Sequence, residues 1–170
     1  MPDPAVTDFA NPVSAVMQGL QEALRAVPEI PRIGFAPPNQ ATPVDILSFF
    51  DDVPRTVEPP YVAVGPIGFQ PAPYAGCVRP VPVRIRIRLY AYDTSAGRER
   101  AWTMAWKALL ATDTNARREA GLEAFALPEP WQFVEPPLSM QAGDVINPID
   151  PKCVYFDLDM VVGEPRPERS

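Results

Sequence analysis

In "VRIRIRLYAYD", residues 83–93, apolar and polar residues alternate without a break. Successive side chains of a strand point to opposite faces, so Val83, Ile85, Ile87, Leu89 and Ala91 share one face and Arg84, Arg86, Arg88, Tyr90 and Tyr92 the other. A helix would scatter both sets around its circumference. The pattern therefore demands a strand with one face in a core and one in water. A second segment, "CVYFDLDMVV" (153–162), alternates in the same way: Val154, Phe156, Leu158, Met160 and Val162 on one face, Tyr155, Asp157, Asp159 and Val161 on the other. Antiparallel pairing of the two would set Asp157 and Asp159 beside the arginines as cross-strand ion pairs, which fix register and add a few tenths of a kcal/mol each. The competing reading is a groove for phosphate or an acidic partner, with Tyr90 and Tyr92 as stacking surfaces. The ladder is favoured, because the acids sit at the matching period.

Two segments carry helical spacing. "NPVSAVMQGLQEALRAV" (11–27) has Asn11 as N-cap, Pro12 at the first helical position and apolar Val13, Val16, Met17, Leu20, Leu24 and Val27. "SAGRERAWTMAWKALLA" (95–111) follows Asp93 or Thr94 as cap, with Ala101, Trp102, Ala105, Trp106, Leu109 and Leu110 as its stripe. That spacing reads Trp102 and Trp106 as core; an exposed anchor for a partner is the alternative. "PPYVAVGPIGF" (59–69) predicts a strand through Tyr61 to Val64, broken or bulged at Gly65–Pro66, and "QPAPYAGCVRPVP" (70–82) a long connection to the arginine strand. Residues 118–137 fit either a short helix end or a strand around Leu122, Phe125 and Leu127, with Trp131 to Val134 extended. The expected fold is α+β: an antiparallel sheet with two amphipathic helices on one face and long Pro-rich loops. The 170 residues read as a single domain, ordered over about 11–162 with a frayed tail at 163–170. Twenty-four of 170 residues are proline, against a usual share of ~5%, and they are expected between the periodic segments rather than within them, which implies long, stiffened loops.

Composition removes much of enzymology. With no histidine, every Ser-His or Cys-His nucleophile, imidazole base and His metal ligand is excluded. Cys77 and Cys153 form no CxxC pair and read as reduced and structural. Asp144, Asp150, Asp157 and Asp159 with Asn147 lack the spacing of a calcium loop and read as solvated carboxylates. Asp51 and Asp52 with Glu58 are the remaining candidates for acid/base work, as in a glycosidase, and need a cleft to converge in. "GPIGF" (65–69) has neither the spacing nor the lysine of a phosphate loop and reads as a turn. No catalytic residue, cofactor or metal is expected. A net charge of −6 opposes a surface that embraces nucleic acid. The N-terminus lacks a secretory pattern and no run of ~18 apolar residues occurs, so the chain is expected to be made in the cytoplasm without a membrane.

The order of these segments resembles the tail-terminator or tail-completion proteins of long-tailed bacteriophages and gene transfer agents. An N-terminal helix ("VSAVMQGLQEALRAV"), a "PPYVAVG" strand, a long excursion, "VRIRIRLYAYDTSAGRERAWTMAWKALLAT" and the closing "YFDLDMVV" carry the resemblance over residues 11–162. It implies a non-enzymatic virion subunit at the head-tail junction, forming a homo-hexameric ring that caps the tail tube, ends its growth and meets the head connector. The implied partners are other copies of the chain, the tail tube protein and the connector or neck protein, with DNA passing through the lumen without specific binding. Arg84, Arg86, Arg88, Asp157, Asp159, Phe69 and Tyr74 are the expected subunit or partner contacts, together with loops 28–43 and 66–82. The alternatives are another neck or connector subunit, or a small adaptor or chaperone-like domain that binds a peptide through Trp102 and Trp106.

Overall fold

A computed structural model describes residues 11–30, 60–140, 143–145 and 152–165. Helix α1 (Pro12–Arg25) begins where the sequence places it: Asn11 Oδ1 accepts the Ser14 amide at 2.8 Å, and Pro12 fills a first-turn position whose N–H would have no helical partner. Strand β1 (Tyr61–Phe69) pairs antiparallel with β2 (Val78–Ala91). Helix α2 (Ser95–Thr112) and the short α3 (Thr114–Glu119) follow, then β3 (Gln132–Ser139), β4 (Gly143–Val145) and β5 (Lys152–Pro165). The sheet runs β1-β2-β5-β3, antiparallel throughout, and β4 pairs with β5 beside β3. Two helices over one face of an antiparallel sheet make this an α+β fold.

The core is the stripe read from the sequence. Ile85, Ile87, Leu89, Val154, Phe156, Leu158 and Val162 are fully buried beneath Val16, Met17, Leu20 and Leu24 of α1 and Ala101, Met104 and Ala108 of α2. The strands are longer than expected. β1 continues past Gly65 to Phe69 by ejecting one residue, Ile67, between Pro66, opposite Ile85, and Gly68, opposite Arg84. β5 also continues past Val162, with Gly163, Glu164 and Pro165 opposite Pro80, Arg79 and Val78, so the tail begins no earlier than residue 166.

Prolines are not confined to connections. Pro80 and Pro82 lie within central strand β2, where a missing N–H normally breaks the ladder. Here the carbonyls of Pro82 and Pro80 accept the amides of Gln70 and Ala72, on the β1 side. A residue in an antiparallel ladder points its N–H and C=O to the same edge, so the missing donors face the fraying hairpin arm and spare the β2-β5 ladder.

Helix α2 departs most from its expected orientation. Its buried residues are Gly97, Ala101, Met104, Ala105, Ala108 and Thr112; Trp102 and Trp106 are 44% and 58% exposed, and Leu110 is exposed as well. The sheet face is already filled by Ile, Leu and Phe, so the helix approaches on its small residues and turns the indoles outward. The start of α2 is fixed by Thr94, whose Oγ1 accepts the Gly97 amide at 3.0 Å. A Cβ on Gly97 would stand 1.8 Å from the Tyr92 carbonyl oxygen.

The ambiguous stretch after α2 resolves around two side chains. Asp113 caps α3 by accepting the Ala116 amide on Oδ1 at 2.9 Å, and accepts the Ser139 amide of edge strand β3 on Oδ2 at 2.8 Å. Arg117 donates to the carbonyls of Ala111 and Glu123, tying α2 to the irregular run after α3. In that run Phe125 is buried edge-on against Phe133, whereas Leu122 stays exposed.

Two expectations follow. Gly97→Ala removes the turn that lets β2 run directly into α2 and lowers stability by about 3 kcal/mol or more, read from the urea midpoint; Gly65→Ala, which meets nothing within 4 Å, serves as the control. Burial raises the Asp113 pKa, but the Ser139 and Ala116 amides more than offset it, and the net value lies below that of an ordinary aspartate. Its folded pKa being depressed, Asp113 stabilises the fold above its unfolded pKa, and that contribution is lost as pH falls through the folded value. Asp113→Asn therefore lowers the urea midpoint near neutrality, and the gap from the wild type closes below about pH 4.

Candidate subunit-contact faces

The outward face of the sheet carries the ladder. Arg84 faces Asp159 and Arg86 faces Asp157, each as a two-pronged pair: Nε to Oδ1 at 2.6 and 2.9 Å, Nη2 to Oδ2 at 3.0 and 3.2 Å respectively. A third pair, Arg79 with Glu164 at 3.6 Å, lies at the end of the two strands and, by the period of two, on the other face of the sheet. The hydrogen bonds to the facing carboxylates raise the pKa of Arg84 and Arg86 above the usual arginine value. The Arg86 guanidinium also lies 4.2 Å above the Tyr155 ring.

Arg88 differs from its two neighbours. It faces Tyr155, is exposed and has no ion pair among the described residues, so the stripe is neutralised at two of its three positions. Beyond it the face becomes apolar: Tyr90 stacks on Tyr61 at 4.6 Å, and burial pushes the Tyr90 hydroxyl far above its ordinary pKa. Cys153, opposite Tyr90, is buried, while Cys77 is exposed beside Gly76 in the β1-β2 connection, so only Cys153 has the expected structural setting.

Phe69 ends β1 opposite Val83 and Tyr74 lies on that connection, both apart from the ladder. Phe69 is 60% exposed; Tyr74 is half-buried beneath the Arg79 guanidinium, 4.2 Å from its ring centre. Phe69 and the ejected Ile67 line one wall of an open groove of about 890 Å³, opposite Glu135, Pro136 and Leu138 of β3, with Thr114, Asn115 and Arg118 of α3 completing it. Neither the groove nor the exposed Trp102, Trp106 and Leu110 was visible in the periodicity, because both depend on how α2 and α3 seat against the sheet.

Of the acidic candidates, Asp157 and Asp159 belong to the ladder and Asp144 lies in β4 opposite Val154, while Asp51, Asp52, Glu58, Asn147 and Asp150 lie outside the described residues, as do loop positions 31–43. Among the described residues no cluster of three Cys, Asp or Glu is arranged to hold a metal, and no helix is long and apolar enough to cross a membrane.

A family model described as tail completion protein gp17 matches residues 18–118, from within α1 through β1, β2 and α2 into α3. The chain belongs to the tail completion protein gp17 family. It is thus a structural tail-completion component of a phage virion. No curated protein matches the chain. The match ends before β3, β4 and β5, so the acidic half of the ladder lies beyond it.

The two ion pairs differ in burial, and their variants should differ accordingly. Arg86→Glu sets a carboxylate against Asp157, whose side chain is only 13% exposed, and costs about 1–3 kcal/mol. Arg86→Glu combined with Asp157→Arg recovers most of it. Arg84→Glu, opposite a well-exposed Asp159, has the smaller effect on the thermal midpoint.

Proposed function

We propose that this tail-completion protein acts as a homo-hexameric ring on the head-proximal end of the tail tube, where it ends tube growth and offers a surface to the head connector. The observation that carries this reading, together with the family, is the contrast between two kinds of surface. The charged sheet face is satisfied within the chain by Arg84–Asp159 and Arg86–Asp157, while large apolar side chains remain exposed at Ile67, Phe69, Trp102, Trp106, Leu110, Val134, Leu138 and Met140. Exposed apolar residues in several separate patches fit a subunit with several protein neighbours. They give no support to a catalytic role.

In this reading Phe69 at the end of β1 and Tyr74 on the β1-β2 connection contact the tube or a neighbouring subunit, and Arg88 is the member of the arginine stripe left for a partner's carboxylate. Arg84, Arg86, Asp157 and Asp159 shape that face and keep it electrically neutral. Neutrality suits a ring around a DNA channel, since a passing duplex is retained in proportion to the unpaired cations offered to its phosphates.

A second reading, a monomeric adaptor that binds a peptide along Trp102 and Trp106, draws on the exposure of both indoles. Mass photometry over a concentration series separates the two. The ring predicts a species of six copies at 18.7 kDa each, 112.2 kDa, alone or on tail tubes supplied as template. A chain that stays monomeric and leaves tube elongation unchanged removes the ring and leaves the adaptor.

A further inference from the structure

A ring closes only if each copy presents two different surfaces that fit each other. Two surfaces of this chain have that relation. The first is a ridge on α2: Glu99, Trp102, Trp106 and Leu110 recur at intervals of three and four, hence on one side of the helix, and all are exposed. The second is the groove between Ile67–Phe69 and Glu135–Leu138, floored by Val83, Met160 and Val161 and flanked by Asn115 and Arg118.

Their chemistry is complementary on two counts. Both are largely apolar, and at about 890 Å³ the groove admits more than one large side chain. Each carries one acid and one base without an ion pair among the described residues: Glu99 and Arg100 beside the ridge, Arg118 and Glu135 in the groove.

We infer that the α2 ridge of one copy docks into the Thr114–Arg118 groove of the next, with Glu99 against Arg118, Arg100 against Glu135 and the Trp102 and Trp106 indoles against the apolar wall of Ile67, Phe69 and Leu138. This inference rests on the ring reading and assigns its subunit contact. Trp102 and Trp106, 44% and 58% exposed in the free chain, leave water together, as expected of anchors at the centre of an interface. The contact is heterologous, because ridge and groove share no residue.

Sedimentation velocity on the full chain over a concentration series tests it. Trp106→Glu and Leu138→Glu each weaken self-association on the order of tenfold or more. An equimolar mixture of the two forms one two-copy species and nothing larger, because such a pair has a single intact ridge facing a single intact groove. Glu99→Arg and Arg118→Glu each weaken assembly, and the two changes in one chain restore it, so the result does not depend on Leu138→Glu folding. Assembly of all these variants to the wild-type size overturns the ridge-groove contact and leaves the ring standing. A wild-type chain that remains monomeric at every concentration and leaves the elongation of tail tubes supplied as template unchanged overturns both.

Discussion

Everything else in the structure is arranged around one pairing, that of β2 with β5. Two strands of 14 residues, separated by the helices and the edge strands, meet in an uninterrupted antiparallel register from Val78 opposite Pro165 to Ala91 opposite Lys152. Each alternates with period two. In the observed register Val83, Ile85, Ile87 and Leu89 share one face with Val154, Phe156, Leu158 and Met160, and the Arg84–Asp159 and Arg86–Asp157 pairs lie on the other. A slip of one residue would lay Arg86 beside Leu158 or Phe156 and turn one strand's apolar set outward. The ion pairs therefore matter less for their energy than for excluding that slip. Arg84–Asp159 is too exposed to stabilise the fold much, but with Arg86–Asp157 it marks the correct alignment twice.

The length of this pairing also explains why the sheet tolerates so much irregularity around it. β1 bulges at Ile67, β3 shifts register twice, and β4 contributes three residues, yet each needs only a segment of the long central ladder to pair with. The prolines obey the same hierarchy. Pro80 and Pro82 give up donors on the edge where β1 is already peeling away, and the β2-β5 edge loses none. Asp113 adds the remaining tie, bringing the α2-α3 corner to the end of β3 through a single carboxylate.

The features legible in the sequence are those that a local period determines. The arginine and aspartate strands, their apolar face, the ladder and the capped helix α1 all follow from spacings of two or of three to four. The orientation of α2 does not. The stripe read from its spacing joins Ala101 and Ala105, which are buried, to Trp102, Trp106 and Leu110, which are exposed, because hydrophobic spacing alone does not separate small from large residues. Packing against a sheet already filled with Phe156, Leu158 and Ile87 selects the smaller, and neither strand reveals that preference by itself. For the same reason the groove was invisible: Ile67, Leu138 and Arg118 come from three distant segments, and only the bulge, the edge strand and the Asp113 corner bring them together. The candidate site residues split along the same line, with Arg84, Arg86, Asp157 and Asp159 meeting as their period required and Phe69 and Tyr74 standing apart from them.

That division bears on how a structural subunit can keep one fold and still assemble. A polar face that is complete within the chain gives a neighbour little to gain, since a partner's charge would have to displace a two-pronged ion pair already made. Apolar residues left outside the core carry no such internal competitor. Turning Trp102 and Trp106 outward costs the core little, because Ala101, Ala105 and Ala108 let α2 sit closer to the sheet than the indoles would. The same choice of small residues thus seats the helix on its own sheet and leaves Trp102, Trp106 and Leu110 as an apolar surface outside the core, the one the proposed ridge-groove contact would use.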